Sequence, residues 1–224
     1  MMLVLLITVL MAGAVVAVLA GEWNRNFPRW IALVACVIGL LLVITLWAGT
    51  GHSVADSQWL MDYRKEWIPS FGITFHLAVD GLSLLLLALT FFLGVLAVLC
   101  SWDEIRERTG FYYFNLLWIL AGVAGVFMAM DLFLFYFFWE VMLIPMYFLI
   151  GIWGSENRVY AAYKFFIFTQ ASGLLMFLAI LGLYFIHGRD TGTYTFGYFE
   201  LVNTVLPFKT AFWLMSGFMI AFAV

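Results

Sequence analysis

The chain has 224 residues, of which 66% are hydrophobic and only 10% are charged, and its mean hydropathy is +1.08. This composition is typical of a polytopic helical membrane protein and excludes a soluble domain. The net charge of −3 argues against a nucleic-acid partner, which would need a basic face. The two cysteines lie in or at the end of apolar runs, without the spacing of a metal site, and are interpreted as packing residues.

Six long apolar runs and the start of a seventh follow one another along the chain. They are approximately Met1–Ala20, Ile31–Trp47, Leu82–Cys100, Phe111–Met130, Leu132–Ile150, Ala161–Ile186 and Ala211–Val224. A helix rises roughly 1.5 Å per residue and the bilayer core is about 30 Å thick. The sequence therefore predicts an all-α polytopic membrane protein with six transmembrane helices plus the start of a seventh. The first run lacks a positively charged leader, which favours a spanning helix over a signal peptide.

The segment between the second and third runs is the longest loop. Its part Ile73–Gly81 alternates loosely between apolar and polar residues, which predicts a strand with His76 at its surface. Asp80 directly precedes the third apolar run, and an aspartate in that place is a common N-cap. We therefore expect Asp80 to begin the third helix.

Basic residues indicate the orientation of the chain in the membrane. The first, third and fifth loops carry six of them, namely Arg25, Arg29, Arg106, Arg108, Arg158 and Lys164. The other loops carry four, namely Arg64, Lys65, Arg189 and Lys209. The former loops are short, and positive charge in short loops favours the cytoplasmic side. The N-terminus is therefore predicted to lie outside.

Glu140 is the most informative residue, because it lies near the middle of the fifth apolar run among aromatic and aliphatic neighbours. A carboxyl group at that depth costs about 2.5–3.5 kcal/mol on insertion scales. Such a residue usually faces a polar interior and marks an ion or proton path. The alternative is a structural carboxyl group that a neighbouring helix caps.

Helical spacing places Tyr136, Ile144 and Tyr147 on the same face as Glu140. The two tyrosine hydroxyls would make a partly polar stripe on an otherwise apolar helix. Pro145 has no N–H for the carbonyl group four residues earlier, so this acceptor is free beside the carboxyl group. In one interpretation, this carbonyl oxygen accepts a hydrogen bond from a water molecule or from the protonated carboxyl group. In the other, Pro145 only bends the helix for packing.

Two further charged residues are candidates. Asp131 interrupts the apolar positions between the fourth and fifth runs, and we expect it at the outer surface, capping the fifth helix or forming the mouth of a path. It precedes Glu140 by about 900° of helical rotation, so the two should project to opposite faces. Lys164 lies about two turns in from the cytoplasmic loop, where it snorkels to the interface or acts as a basic relay partner. Small and hydroxylated residues on one side of that run suit close helix packing, namely Thr169, Ser172 and Gly173.

Three segments, Trp67–Leu85, Phe137–Ile150 and Lys164–Leu175, resemble the M subunits of NADH-quinone oxidoreductase. These are antiporter-like, proton-translocating membrane subunits of respiratory complex I. The resemblance covers the chain from end to end and implies the N-terminal part of an antiporter-like inverted-repeat fold. It implies two regions, with the first at 1–110 and the second at 111–224.

The first of these regions would hold three helices and an outer loop at about residues 48–80. The second would be an incomplete first antiporter-like repeat with helices four to seven. The last helix has too few residues before Val224 to cross the membrane, so the chain is expected to be part of a longer protein or a truncated reading frame.

The resemblance implies proton translocation coupled to electron transfer from NADH to quinone in other subunits. Glu140 matches the protonatable glutamate of the family, and its lysine partner is expected directly after Val224. This chain is expected to hold no cofactor, with flavin and iron–sulfur clusters in other subunits. The expected partners are other membrane subunits of complex I, the lipid bilayer, protons and water. The expected location is a bacterial-type inner membrane, which the chain crosses several times.

Two alternatives stay open. The chain could belong to a related multisubunit cation/proton antiporter or a membrane-bound hydrogenase, or it could be a scaffold fragment without an ion path. The candidate site is Glu140 as the proton-transfer group, with supporting roles for Lys164, Asp131, Tyr136 and Tyr147.

Overall fold

The computed structural model describes residues 1–50 and 59–224, so part of the expected outer loop at 48–80 lies outside the described residues. The described chain is mainly helical, with one short hairpin. In chain order its elements are α1 (Met2–Gly21), α2 (Phe27–Thr50), β1 (Met61–Ile68), a 3₁₀ turn (Pro69–Phe71), β2 (Ile73–Val79), α3 (Gly81–Cys100), α4 (Thr109–Met128), α5 (Leu132–Val141), α6 (Leu143–Trp153), α7 (Arg158–Thr191), α8 (Tyr198–Leu201) and α9 (Phe208–Ala223).

Six spans are long and apolar enough to cross a membrane, which confirms the predicted number. They are α1, α2, α3, α4, the pair α5 and α6 taken together, and α7. The shorter α9, with 16 residues, corresponds to the predicted start of a seventh helix. Many large apolar side chains are exposed on these helices, as lipid-facing side chains are, for example Leu41, Leu82, Leu93, Ile167 and Leu178. The chain is an integral membrane protein.

One compact unit comprises Met1–Asp62 and Ala78–Met128. In it α1 packs against α2 and α4, and α3 packs against α2 and α4. A close approach of backbones joins Gly21 of α1 to Gly110 of α4, where a Cβ on Gly21 would lie 2.9 Å from the Gly110 Cα. Small residues allow this approach, and dispersion contacts between the backbones then hold the helices together in lipid. Asp80 caps α3 as predicted, accepting a hydrogen bond of 2.7 Å from the Ser83 N–H.

The second compact unit comprises Tyr63–Leu77 and Ala129–Val224. Here α7 is central, because it packs against α5, α6 and α9. Its buried core gathers side chains from β2, α7, α9 and the segment before α8, namely Ile73, Met176, Ile180, Tyr184, Phe196 and Ala221. The predicted domain boundary at residue 110 stays a prediction.

A hairpin replaces the single predicted strand, since β1 pairs with β2. Between the strands Gly72 has a φ of +68°, and a Cβ there would overlap the carbonyl oxygen of Tyr194. Only glycine fits both conditions. The prediction that His76 lies at the surface is wrong, because its side chain is 4% exposed. Its ring packs near Phe199, and its carbonyl oxygen accepts a hydrogen bond of 2.9 Å from the Met130 N–H.

The fifth apolar run is divided, although the sequence predicts one helix there. α5 ends at Val141 and α6 begins at Leu143, so the division falls at Met142. Pro145 explains the division, because it cannot donate the hydrogen bond that an uninterrupted helix would send to the Val141 carbonyl. The regular pattern resumes with the 3.2 Å bond from the Met146 N–H to the Met142 carbonyl.

Candidate functional site

Glu140 lies on the last turn of α5, half-buried against α7. Its Oε2 accepts a hydrogen bond of 3.1 Å from Nε2 of Gln170. Its Oε1 is buried and accepts no hydrogen bond from the described residues. This second oxygen lies against Gly173, where a Cβ would overlap it. The carboxyl group therefore occupies a niche that an amide and a glycine of α7 form together.

Aromatic contacts on both sides of this niche define what we term the α5–α7 seam, the line along which α5 and α6 run antiparallel to α7. Tyr136 stacks on Phe177, with ring centroids 4.7 Å apart. Tyr147 packs against Phe166, with ring centroids 5.7 Å apart. Glu140 lies between these contacts in sequence and in register. The seam thus places one carboxyl group between two pairs of aromatic rings.

Tyr136 and Tyr147 share the α7-facing side with Glu140, but they differ in what they touch. The Tyr136 hydroxyl lies near the Glu140 carboxyl group. The Tyr147 side chain interacts with Tyr163 on α7, at a ring-centroid distance of 5.8 Å. Ile144 does not share the buried side of Glu140, since it is 59% exposed. The helix division at Met142 changes the phase between Glu140 and the residues after it, which is why simple helical spacing misplaced Ile144.

Lys164 is not brought to Glu140. Its side chain is exposed, and its Nζ lies 6.0 Å from the centre of the Tyr160 ring. This distance corresponds to a cation–π contact at the beginning of α7. The exposed position agrees with the snorkelling alternative rather than with a basic partner at the carboxyl group.

Asp131 is the N-cap of α5, one of the two roles that the sequence suggests. Its Oδ1 accepts hydrogen bonds of 2.9 Å and 3.1 Å from the N–H groups of Phe133 and Leu134. Its Oδ2 accepts bonds of 2.9 Å and 3.1 Å from the N–H and hydroxyl groups of Thr74. The Asp131 side chain is buried within the protein, with 1% exposed, and its predicted place at the outer side of the membrane stays a prediction.

The burial of Asp131 has a structural cause. The residue before it bonds to β2, and the residue after it, Leu132, donates a hydrogen bond of 2.9 Å to the Phe196 carbonyl. The chain on both sides therefore covers the carboxyl group. Burial raises the pKa of Asp131 above its ordinary value, while the hydrogen bonds from Thr74, Leu134 and Phe133 act in the opposite direction. The hydrogen bonds that this carboxyl group accepts hold the start of α5 in place.

Gln170 is the residue beside Glu140 that sequence reasoning missed. It was visible as a polar residue in the sixth run, but thirty positions separate it from Glu140, and no helical period links two different helices. One signal could have found it. Gln170 and Gly173 are three residues apart, so they share one face of a helix. On that face the amide is polar, and the glycine leaves room for a side chain from another helix.

The described residues contain no group of three or more histidine, cysteine, aspartate or glutamate side chains that could hold a metal ion. The arrangement at Glu140 offers different chemistry. A carboxyl group that has an amide on one oxygen, and no hydrogen bond from the described residues on the other, is suited to binding and releasing a proton. It offers no set of ligands for a cation that needs several oxygens.

Comparison with known proteins agrees with this description. Residues 129–224 match the family described as NADH:quinone oxidoreductase/Mrp antiporter, TM. The chain is 53% identical, over 212 residues, to NADH-quinone oxidoreductase subunit M of Escherichia coli (strain K12), which covers 91% of this chain and 42% of that protein. It is 50% identical to the protein of the same name from Pseudomonas aeruginosa, covering 100% of this chain and 46% of the relative.

Among solved structures, respiratory complex I from Thermus thermophilus with bound NADH contains a chain with a TM-score of 0.75. The identity is 26%, and the match covers 96% of this chain and 43% of that chain. The chain described here thus spans less than half the length of these relatives. It has the fold of an antiporter-like membrane subunit and belongs to the family of NADH-quinone oxidoreductase subunit M.

Proposed function

We propose that this chain takes part in proton translocation as part of an NADH-quinone oxidoreductase, with Glu140 as the group that binds and releases the proton. The observation that carries the proposal is the position of the carboxyl group. It lies in the span Leu132–Trp153, hydrogen-bonded to an amide, with a buried oxygen that receives no hydrogen bond from the described residues. A carboxyl group at membrane depth is costly, which favours a functional reason for its presence.

The proposed chemistry is a switch between two charge states. A cation that approaches the carboxyl group stabilises the carboxylate and favours release of the proton. When the cation moves away, the apolar surroundings favour the neutral acid, which takes a proton up again. The family resemblance assigns the cation to a lysine beyond Val224. Tyr136, close to the carboxyl group, would help to orient it.

The surroundings of the subunit belong to the same proposal. Electron transfer from NADH to quinone would take place in other subunits, which would hold the flavin and the iron–sulfur clusters. Other membrane subunits would flank this chain in a bacterial-type inner membrane. The N-terminus would lie outside, so reporter fusions at Glu22 and Glu104 should register the cytoplasm and a fusion at Asp62 the outside. The reverse pattern would overturn this orientation.

The main test uses Glu140→Gln in the complete subunit within its complex. The amide keeps the shape of the side chain but cannot titrate, so proton pumping in proteoliposomes should fall at least about a hundredfold, at the lower end of what loss of acid–base catalysis costs. Glu156→Gln is the matched control, because this carboxyl group is exposed in the loop before α7 and should be replaceable without loss. Full pumping by the Glu140→Gln complex, assembled in normal amounts, would return Glu140 to a structural role.

A further inference from the structure

Gln170 holds the Glu140 carboxyl group by the 3.1 Å bond described above, from the opposite side of the α5–α7 seam. Both side chains are half-buried, and both lie in spans that are apolar over most of their length. Gly173, on the same face of α7, leaves the space that the second carboxyl oxygen fills. Because both spans are apolar, the hydrogen bond between the two side chains is costly to lose.

We propose that Gln170 is a positioning residue that keeps one hydrogen bond on the Glu140 carboxyl group in both of its protonation states. This inference rests on the proposed proton-carrying role of Glu140. A carboxamide carries two N–H donors and a carbonyl acceptor, whereas lysine only donates and an ionised carboxylate only accepts. Gln170 can therefore donate to the carboxylate and accept from the neutral acid.

The change between these two bonds needs only a small motion. The last torsion of a glutamine side chain is broad and roughly two-fold, so the amide can turn over while its carbon atoms stay in place. The proton arrives on Glu140 Oε2, and the carbonyl oxygen of Gln170 then faces that O–H group. Neither α5 nor α7 has to move, and the charge of Gln170 never changes. Oε1 stays beside Gly173 in both states.

A purely structural tie between two helices would act differently. It would stabilise the assembled subunit, and its loss would reduce the amount of complex in proportion to the loss of pumping. A positioning residue affects the rate per assembled complex. It also affects the vibration of the carboxyl group that it bonds, which a distant packing defect does not change.

Three variants of the complete subunit, each purified within its complex, separate these roles. Gln170→Met keeps the length of the side chain and removes both donor and acceptor, and pumping per complex should fall about tenfold, the effect of losing one hydrogen bond to a charged group. Gln170→Asn keeps the amide on a shorter stem and should recover at least about a third of the normal rate. Thr169→Val is the control, because the Thr169 hydroxyl bonds to the Phe165 carbonyl within α7, and pumping should not change.

Infrared difference spectra provide the second measurement. The C=O band of protonated Glu140, identified by its absence in Glu140→Gln, should move to higher wavenumber in Gln170→Met. If Gln170→Met pumps normally or leaves the band in place while Glu140→Gln is inactive, the role of Gln170 is refuted and that of Glu140 stands. If Glu140→Gln itself pumps normally, both the proposed function and this inference are refuted.

Discussion

Both compact units place a glycine at a contact between helices, but the atoms opposite the glycine differ. In the first unit a Cβ on Gly110 would lie 2.9 Å from the Ala17 carbonyl oxygen and 3.1 Å from the Gly21 Cα, both of them backbone atoms. In the second unit a Cβ on Gly173 would overlap the Glu140 carboxyl oxygen, the end of a flexible side chain. The first glycine brings two helices together, whereas the second makes room for a functional group. Glycine at a helix contact therefore has no single meaning, and the atom opposite it decides its role.

The largest effect on stability is expected for Gly110→Ala. The added methyl group meets backbone on α1, which cannot rotate away, so α1 and α4 must separate at a cost of about 1–3 kcal/mol. Thermal unfolding of the purified subunit, followed by intrinsic fluorescence, should show a lower midpoint. Gly49→Ala is the control, because no described atom lies within 4 Å of a Cβ there. Equal midpoints for the two variants would contradict the assignment of Gly110 as a packing residue.

Gly173→Ala should show the reverse pattern, with a large effect on activity and a small one on stability. The methyl group displaces the Glu140 carboxyl from its niche, and the side chain can rotate away, so unfolding should change by less than about 1 kcal/mol. Pumping in the assembled complex should fall about tenfold, because catalytic groups tolerate little displacement. Gly151→Ala on α6 is the control, since a Cβ there makes an ordinary contact of 3.4 Å with the Ala162 Cβ on α7. Equal activity of both variants would show that the niche does not matter.

The smallest effects concern the two helix caps, Asp80 and Asp131. Their contributions to stability should change with pH in opposite directions. The Ser83 N–H lowers the pKa of Asp80, whereas burial raises the pKa of Asp131. A lowered pKa gives stability that is present above the ordinary pKa of about 4 and is lost on acidification through the folded-state pKa. A raised pKa gives stability that is present below the ordinary pKa and is lost as pH rises through the folded-state pKa.

Asp80→Asn should therefore make the subunit less sensitive to acid than the parent chain, and Asp131→Asn should make it more sensitive. Thermal unfolding midpoints measured between pH 7 and pH 3 would give, for each variant, the slope of the midpoint against pH. The asparagine keeps a capping oxygen in each case, which limits the loss at neutral pH to about 1 kcal/mol or less. Slopes that change in the same direction in both variants would contradict the contrast between the two caps.

Much of this fold could be predicted because a bilayer imposes strict rules on sequence. Spans must be apolar and long, so six of them were visible as runs, and the cap at Asp80 followed from its place before the third run. The prominence of Glu140 followed from the same rules, because a carboxyl group stands out where polar residues are rare. The family was recognisable from the motifs around it.

Relations between helices could not be predicted in this way. The bond from Gln170 to Glu140 joins two spans, and single-helix periodicity carries no information about which faces meet. The exposure of Ile144 depends on the division at Met142, which changes the helical phase between Glu140 and Ile144. The burial of Asp131 and His76 depends on the hairpin and the segment near Phe196, which come from distant parts of the chain.

The aromatic contacts along the α5–α7 seam have a consequence for leakage. Tyr136 with Phe177 lies on one side of Glu140, and Tyr147 with Phe166 lies on the other. Rings in contact at these distances pack the seam closely on both sides of the carboxyl group along the helix axis. Under the proposed proton-carrying role of Glu140, this packing limits the leakage of protons along the seam, which would otherwise dissipate a proton gradient.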